Sequence, residues 1–302
     1  MSDILQPYHD RIVFGDCFEH LPRLPDDSIH CMISDIPYGI NLDDWDVLHP
    51  NTNAGLLGQS PAQVGKSAFK RRGKPIRGWN QNDRRIPQEY QNWCYRWARQ
   101  VYPKLKAGAS LLIFGARRTL HRAIIALEDC GFLLRDIFAW QKPTAHHRAQ
   151  RLSTVLEKRG LHTEARHWRG WRLGNLAPRW EPIAWLFKPY PRTLTDTVLE
   201  NGVGAVNVEA CLIDGRLPSN VLDNFWFQTG EMRLHEAQKP LSLMEFLIRL
   251  TTHEGQIVLD PFIGSGTTAV ACKRLKRHFV GFEINAEFAR QASNRLASLD
   301  AD

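Results

Sequence analysis

Short apolar runs alternate along this chain with stretches of helical periodicity, and their order predicts an α/β fold. RIVF (11–14) reads as a strand, GDCFEHL (15–21) as a turn into a short helix, and SIHCMIS (28–34) as a second strand running up to Asp35. These make a compact βαβ unit. Farther on, WCYRWARQVYPKLKAG (93–108) predicts a helix closed by Gly108, ASLLIFG (109–115) a strand, and RRTLHRAIIALEDCG (117–131) a helix. FLLRDIFAW (132–140) and EPIAWLFKP (181–189) read as strands that pair antiparallel across a long intervening segment. In the last third, LSLMEFLIRLTT (241–252) has apolar residues at helical spacing, GQIVLD (255–260) and HFVGFE (278–283) are strand-like, and TTAVACKRL (267–275) lies between them as a helix.

With 302 residues, 43% hydrophobic and 24% charged, the chain suits a soluble globular protein, and its apolar runs are too short to span a bilayer. The N-terminal MSDILQPYHD has no basic region followed by an apolar stretch, so a cytoplasmic location without membrane partners is the expectation. The six cysteines are scattered with no C-x-x-C pair, which argues for reduced, mostly buried thiols. A net charge of +7 suits a polyanionic partner but equally describes an ordinary basic surface.

Two segments carry candidate chemistry. SDIPYG (34–39) and VLDPFIGSGTTAV (258–270) each follow an apolar run, which puts both at the carboxyl ends of buried strands, where open α/β sheets bind ligands. Gly264 and Gly266 allow a tight turn, and Thr267 and Thr268 then begin a helix with free amides. The loop lacks the Lys-Ser/Thr of a phosphate loop and the spacing of a dinucleotide fingerprint.

The pair resembles motif IV (D/N/S-P-P-Y) and motif I (D-P-F-x-G-S-G-T) of S-adenosylmethionine-dependent DNA amino-methyltransferases, the N6-adenine and N4-cytosine family. The resemblance extends over the chain outside 41–90 and 143–178, and target-base motif first with cofactor motif last is the order of its permuted β group. It implies one catalytic domain over 1–302: a Rossmann-like methyltransferase fold, circularly permuted, with a mixed, mainly parallel sheet and helices on both faces. Asp35 and the carbonyl of Ile36, fixed by Pro37, would polarise the target amine, and Tyr38 would stack on the extruded base. Proline stands in the family where this chain has Ile36. Cofactor contacts carried over are Asp16, Asp35, Asp260, Phe262, Gly264, Ser265, Gly266, Thr267 and Glu283. HEAQKP (235–240), similar to the family's H-P-T-Q-K-P, adds Gln238 and Lys239 beside the methionine moiety. Trp140 is similar to the family's aromatic-rich motif VIII, although core packing explains it as well.

Both stretches outside the resemblance are basic. Residues 66–85 hold eight Lys or Arg against one Asp, and 145–179 hold eight against two acids. Lys70, Arg71, Arg72, Arg77 and Trp79 in the first, and Arg148, Arg151, Arg166, Trp168, Arg169, Trp171 and Arg172 in the second, are candidate DNA contacts. A solvated charged face with buried tryptophans is the alternative. His146, His147, His162 and His167 have no cysteine or carboxylate cluster at ligand spacing, so no metal is expected.

The functional expectation is therefore methyl transfer to adenine N6 in double-stranded DNA by base flipping. An aspartate opening motif IV is usual among the family's adenine enzymes and serine among its cytosine-N4 enzymes. Cytosine N4, RNA methylation and a non-catalytic DNA-binding protein are the rival readings. Dimers are common in this family, so a homodimer is compatible, and any restriction endonuclease partner would be a separate chain.

Overall fold

The structure, a computed structural model, describes residues 5–39, 80–145, 149–231, 233–234 and 237–299. The elements in chain order are β1 (Arg11–Phe14), α1 (Cys17–His20), β2 (Ile29–Asp35), α2 (Gln81–Val101), β3 (Leu105–Phe114), α3 (Leu120–Asp129) and β4 (Leu133–Gln141). Then follow β5 (Gln150–Arg151), α4 (Leu152–Glu157), α5 (His162–His167), β6 (Arg172–Leu173), β7 (Trp180–Phe187), α6 (Leu194–Asn201) and β8 (Val221–Leu222). The last are α7 (Leu241–Thr251), β9 (Ile257–Asp260), α8 (Thr267–Arg274), β10 (His278–Glu283) and α9 (Ala286–Ser298).

One sheet runs in the order β1-β10-β9-β2-β3-β7-β4-β8, while β5 and β6 form a separate two-stranded ribbon. From β1 to β3 all neighbours are parallel; β7 alone runs against both of its neighbours, β3 and β4. The expected antiparallel pairing of 132–140 with 181–189 is thus present, with Phe138 opposite Ile183. Period-2 alternation divides the strands between two cores. Leu111 and Ile113 of β3 and Ala184 and Leu186 of β7 face the layer of α2 and α3, whereas Leu112, Phe114, Ile183 and Trp185 face that of α7 and α8. This is the mixed, mainly parallel sheet with helices on both faces that the resemblance implies. All six cysteines are free, and five are buried.

Two boundaries differ from the sequence reading. α2 begins at Gln81 rather than Trp93, because Asn80 and Asp83 form a reciprocal capping box there. Residues 81–90 therefore belong to a core helix and not to an insertion, while 40–79 lie outside the described residues. Gly108 does not close α2. The helix ends at Val101, and Pro103 stands in a single 3₁₀ turn before β3. Gly108 lies inside β3 with φ +89°, at the point where the β2–β3 register jumps from Ile29–Leu105 to Cys31–Ser110. A Cβ there would stand 2.5 Å from Thr197 Cγ2.

Candidate active site

The two segments singled out in the sequence meet because β2 and β9 are neighbours, with Cys31 opposite Val258 and Met32 opposite Leu259. Chain order runs outward from this pair in both directions, so the crevice opens at the carboxyl ends of the two strands. Asp35 ends β2, Asp260 ends β9, Glu283 ends β10, and Asp16 follows β1. Four carboxylates therefore line one edge of the sheet. The two central strands are tied directly, Ser34 Oγ donating to Asp260 Oδ1 at 2.5 Å.

Asp260 spends its remaining capacity on its own loop. Its Oδ2 accepts from Thr268 Oγ1 at 2.5 Å, and Oδ1 from the Phe262 amide at 3.2 Å. Burial pushes its carboxyl up to about 7, against these three donors. Glu283 accepts from the amides of Gly264 and Asn285, each at 2.8 Å; burial raises its carboxyl and these amides oppose the rise. Gly266 has φ +77°, and a Cβ on it would lie 2.9 Å from that of Ala292 in α9. From the same helix the buried Arg295 donates to Thr267 Oγ1 at 3.0 Å and to the Ser265 carbonyl at 3.3 Å. The loop is thus held from below by α9 and from the side by Glu283.

Around Asp35, Oδ1 accepts from the Tyr38 hydroxyl at 3.1 Å and Oδ2 pairs closely with Lys239 Nζ. Burial raises the Asp35 carboxyl, and Lys239 is the largest influence opposing it. Two carbonyls of the motif are fixed by distant side chains, that of Pro37 by the Tyr90 hydroxyl at 2.8 Å and that of Tyr38 by Thr119 Oγ1 at 2.9 Å. Among the described residues nothing donates to the Ile36 carbonyl, while the Ile36 side chain is 1% exposed in the core. Isoleucine in place of proline is therefore accommodated by packing.

One pocket collects Asp16, Asp35, Pro37, Gln238, Lys239, Asp260, Phe262, Gly264, Ser265, Thr267 and Glu283 of the predicted residues. Ile36, Tyr38 and Gly266 lie off its lining; they are respectively buried in the core, hydrogen-bonded behind Asp35 and turned toward α9. Asp16 also caps α1, accepting from the Phe18 amide at 3.0 Å, and Gln238 accepts from Ser265 Oγ at 3.3 Å. The sequence reading missed the apolar walls Phe18, Trp93, Ile284 and Phe288. It also missed Ser34, Arg295 and Tyr90. Among the described residues of the lining, apolar walls with four carboxylates and the one ammonium of Lys239 suit a nucleoside carrying positive charge and disfavour a phosphate. S-adenosylmethionine, with its sulfonium and ammonium groups, is such a ligand. Trp140 is 5% exposed and donates to the Phe225 carbonyl at 3.0 Å, so it packs in the core.

The segment between β4 and β7 leaves the sheet at the same carboxyl edge, since Trp140 pairs with Glu181 beside Lys239. Within it Arg151, Arg166, Arg169 and Arg172 are exposed, as are Trp168 and Trp171, whose rings meet edge to face at 5.2 Å. Trp171 is 62% exposed, so these tryptophans are not the buried ones of the alternative reading. Lys70, Arg71, Arg72, Arg77, Trp79 and Arg148, with His146 and His147, lie outside the described residues. His162 and His167 are exposed on α5. A different trio, His9, Asp10 and His278, stands at the opposite, amino end of β10. Asp10 Oδ2 lies 3.1 Å from His9 Nδ1 and 2.7 Å from His278 Nδ1, while Oδ1 takes the Phe279 amide. No described helix is long and apolar enough to cross a membrane.

The family model for DNA methylases of the N6/N4 type matches residues 29–294. The type II methyltransferase M.HindIII of Haemophilus influenzae is 46% identical over 293 residues, covering 95% of both chains. The type II methyltransferase M2.DpnII of Streptococcus pneumoniae is 26% identical, over 96% of this chain and 92% of its own. Among solved structures, the cytosine-N4-specific PvuII DNA methyltransferase aligns with a TM-score of 0.60 at 20% identity, over 94% of this chain and 85% of its own. The M1.HpyAVI–SAM complex aligns at 0.54 and 22%, over 95% and 99%.

Proposed function

This chain belongs to the N6/N4 DNA methylase family, and from that membership and the geometry of its pocket we propose that it methylates adenine N6 in double-stranded DNA. The cofactor is S-adenosylmethionine, which supplies a methyl group activated on a sulfonium. In this reading Glu283 at the end of β10 accepts from the ribose hydroxyls, Asp16 meets the amine of the cofactor's adenine ring, and Gln238 with the Gly264–Thr267 loop bounds the methionine end; all line the one pocket.

The exocyclic amine of adenine is almost non-basic, because its lone pair is delocalised into the ring. Two acceptors that take its hydrogens draw the nitrogen toward tetrahedral geometry and return the lone pair to it. Asp35 and the carbonyl of the adjoining Ile36 are those acceptors in this reading, and the observation that carries it is Asp35 standing on the lining of the cofactor pocket beside Pro37, with Asp260 and Glu283 in the same lining. The base reaches them only when extruded from the duplex, and positioning then supplies most of the rate. The aspartate opening the motif favours adenine over cytosine.

Duplex binding falls to the exposed arginines and tryptophans between β4 and β7, joined by the basic run at 66–85. Arginine contacts to phosphate give sequence-independent affinity, and an exposed tryptophan can wedge into a base step. A homodimer and a separate endonuclease partner remain compatible with this arrangement. The direct test is to incubate the protein with unmethylated duplex DNA and S-adenosylmethionine, digest to nucleosides and identify the product by mass spectrometry. N6-methyladenine is expected; N4-methylcytosine would overturn the base assignment, and methylation confined to RNA would overturn the substrate.

A further inference from the structure

Lys239 is engaged on every side. Its ammonium meets Asp35 Oδ2, the Ala237 carbonyl at 3.0 Å and the Tyr38 hydroxyl at 3.4 Å. A second carboxylate, Glu181 Oε2, stands 4.0 Å from the same nitrogen. Glu181 is not on the pocket lining. It sits on β7 in register with Trp140, and its Oε1 is held by Lys142, which lies 5.2 Å over the Trp140 ring. Lys142, Glu181, Lys239 and Asp35 thus form a line of alternating charge, with a carboxylate on each side of the Lys239 ammonium.

While Lys239 rests on Asp35, that carboxylate's charge is directed at the ammonium and not at an incoming amine. We infer that Glu181 is a positioning residue for methyl transfer, providing the second seat that draws Lys239 off Asp35 when the target amine enters. The inference rests on Asp35 as the amine acceptor, whichever base supplies the amine. The shift needs only rotation along the lysine stem. The rings of Phe114 and Tyr38, 5.2 and 5.9 Å from the nitrogen, surround the cation with aromatic faces. Glu181 is fit to receive it: burial alone would raise its carboxyl, but Lys239, Lys142 and Arg117 hold it below its ordinary range. The charged and titratable groups facing Asp35 are Lys239 from the chain before α7, Tyr38 of its own loop, Glu181 of β7 and Asp260 of β9. Among these Glu181 raises the Asp35 carboxyl and Lys239 lowers it.

Glu181→Gln in the full chain tests this. Cofactor affinity, measured by calorimetry, should be unchanged, and kcat on DNA should fall roughly tenfold. The acid limb of kcat should move to lower pH, since losing the Glu181 charge lets Asp35 ionise more readily. A merely structural residue would not move that limb. In a Lys239→Met background, Glu181→Gln should add no further loss of kcat at pH values where Asp35 is ionised, because there Glu181 acts on the rate through Lys239. Should Glu181→Gln fail to fold, Glu181→Asp keeps the charge but shortens the reach, and an intermediate loss of kcat is expected. An unchanged rate and acid limb, or a full additional loss in the Lys239→Met background, overturns the inference alone. Wild-type protein that binds cofactor yet methylates no base overturns the role of Asp35 and this inference with it.

Discussion

Ser34 and Asp260 join the two halves of the active site: a 2.5 Å hydrogen bond runs from the residue before the base-side carboxylate to the residue that opens the cofactor loop. Both partners are buried, at 0% and 3% exposure, so water cannot replace the bond. Ser34→Ala should lower stability by about 1–3 kcal/mol, as expected for a buried carboxylate that loses one of its three donors, read from urea unfolding at pH 8. No change in unfolding midpoint would show that Thr268 and the Phe262 amide suffice.

The raised carboxyl of Asp260 predicts a pH dependence. Its folded value of about 7 lies above the ordinary 3.8, so the fold prefers its protonated form. That contribution to stability is complete below about pH 4 and is lost as pH rises through 7. Asp260→Asn lacks the titration. In cofactor-free protein, its stability relative to wild type should improve steadily from pH 4 to pH 8. A pH-independent difference between the two proteins would contradict the burial argument.

Asp35→Ala should abolish methyl transfer and leave S-adenosylmethionine bound, because the described cofactor lining is otherwise intact. Filter binding of labelled cofactor beside a methylation assay separates the two effects. Loss of cofactor affinity in this variant would remove Asp35 from the base side. In wild type, burial raises the Asp35 carboxyl, so activity should decline on acidification before ordinary carboxylates protonate.

Glu283→Gln should do the opposite, weakening cofactor affinity roughly ten- to a hundredfold, the worth of charged hydrogen bonds, while DNA affinity holds. Calorimetry with S-adenosylhomocysteine reads this without turnover. An unaltered affinity would confine Glu283 to shaping the loop through Gly264 and Asn285.

Arg166→Ala and Arg169→Ala should each weaken DNA binding to a similar degree on every sequence and reduce the salt slope by about one. Trp171→Ala should weaken binding with the slope unchanged. Fluorescence anisotropy across a salt series distinguishes the two behaviours, and indifference of all three variants would leave this segment a solvated face.

What could be read from the sequence was what is local. Both loops, the βαβ start and the antiparallel pair declare themselves through apolar runs and fixed spacings. The start of α2 was also available, in the Asn80-x-x-Asp83 cap, but Pro87 and a polar first turn obscured it. Tyr90 on Pro37, Arg295 under Ser265 and Glu181 beside Lys239 were not legible, since each spans dozens of residues and depends on how distant elements pack. Gly108 was misread because glycine after a helical run has the same local signature whether it ends a helix or bends a strand.

The contact of Gly266 with Ala292, and of Thr267 with Arg295, sets an order of events during synthesis. On the ribosome the strand bearing Asp35 precedes α9 by about 260 residues, roughly 10–50 s of elongation. Until α9 packs, the cofactor loop lacks the wedge that fixes its turn. A nascent chain therefore carries the base-side carboxylate well before the helix that fixes the methyl-donor loop has been made.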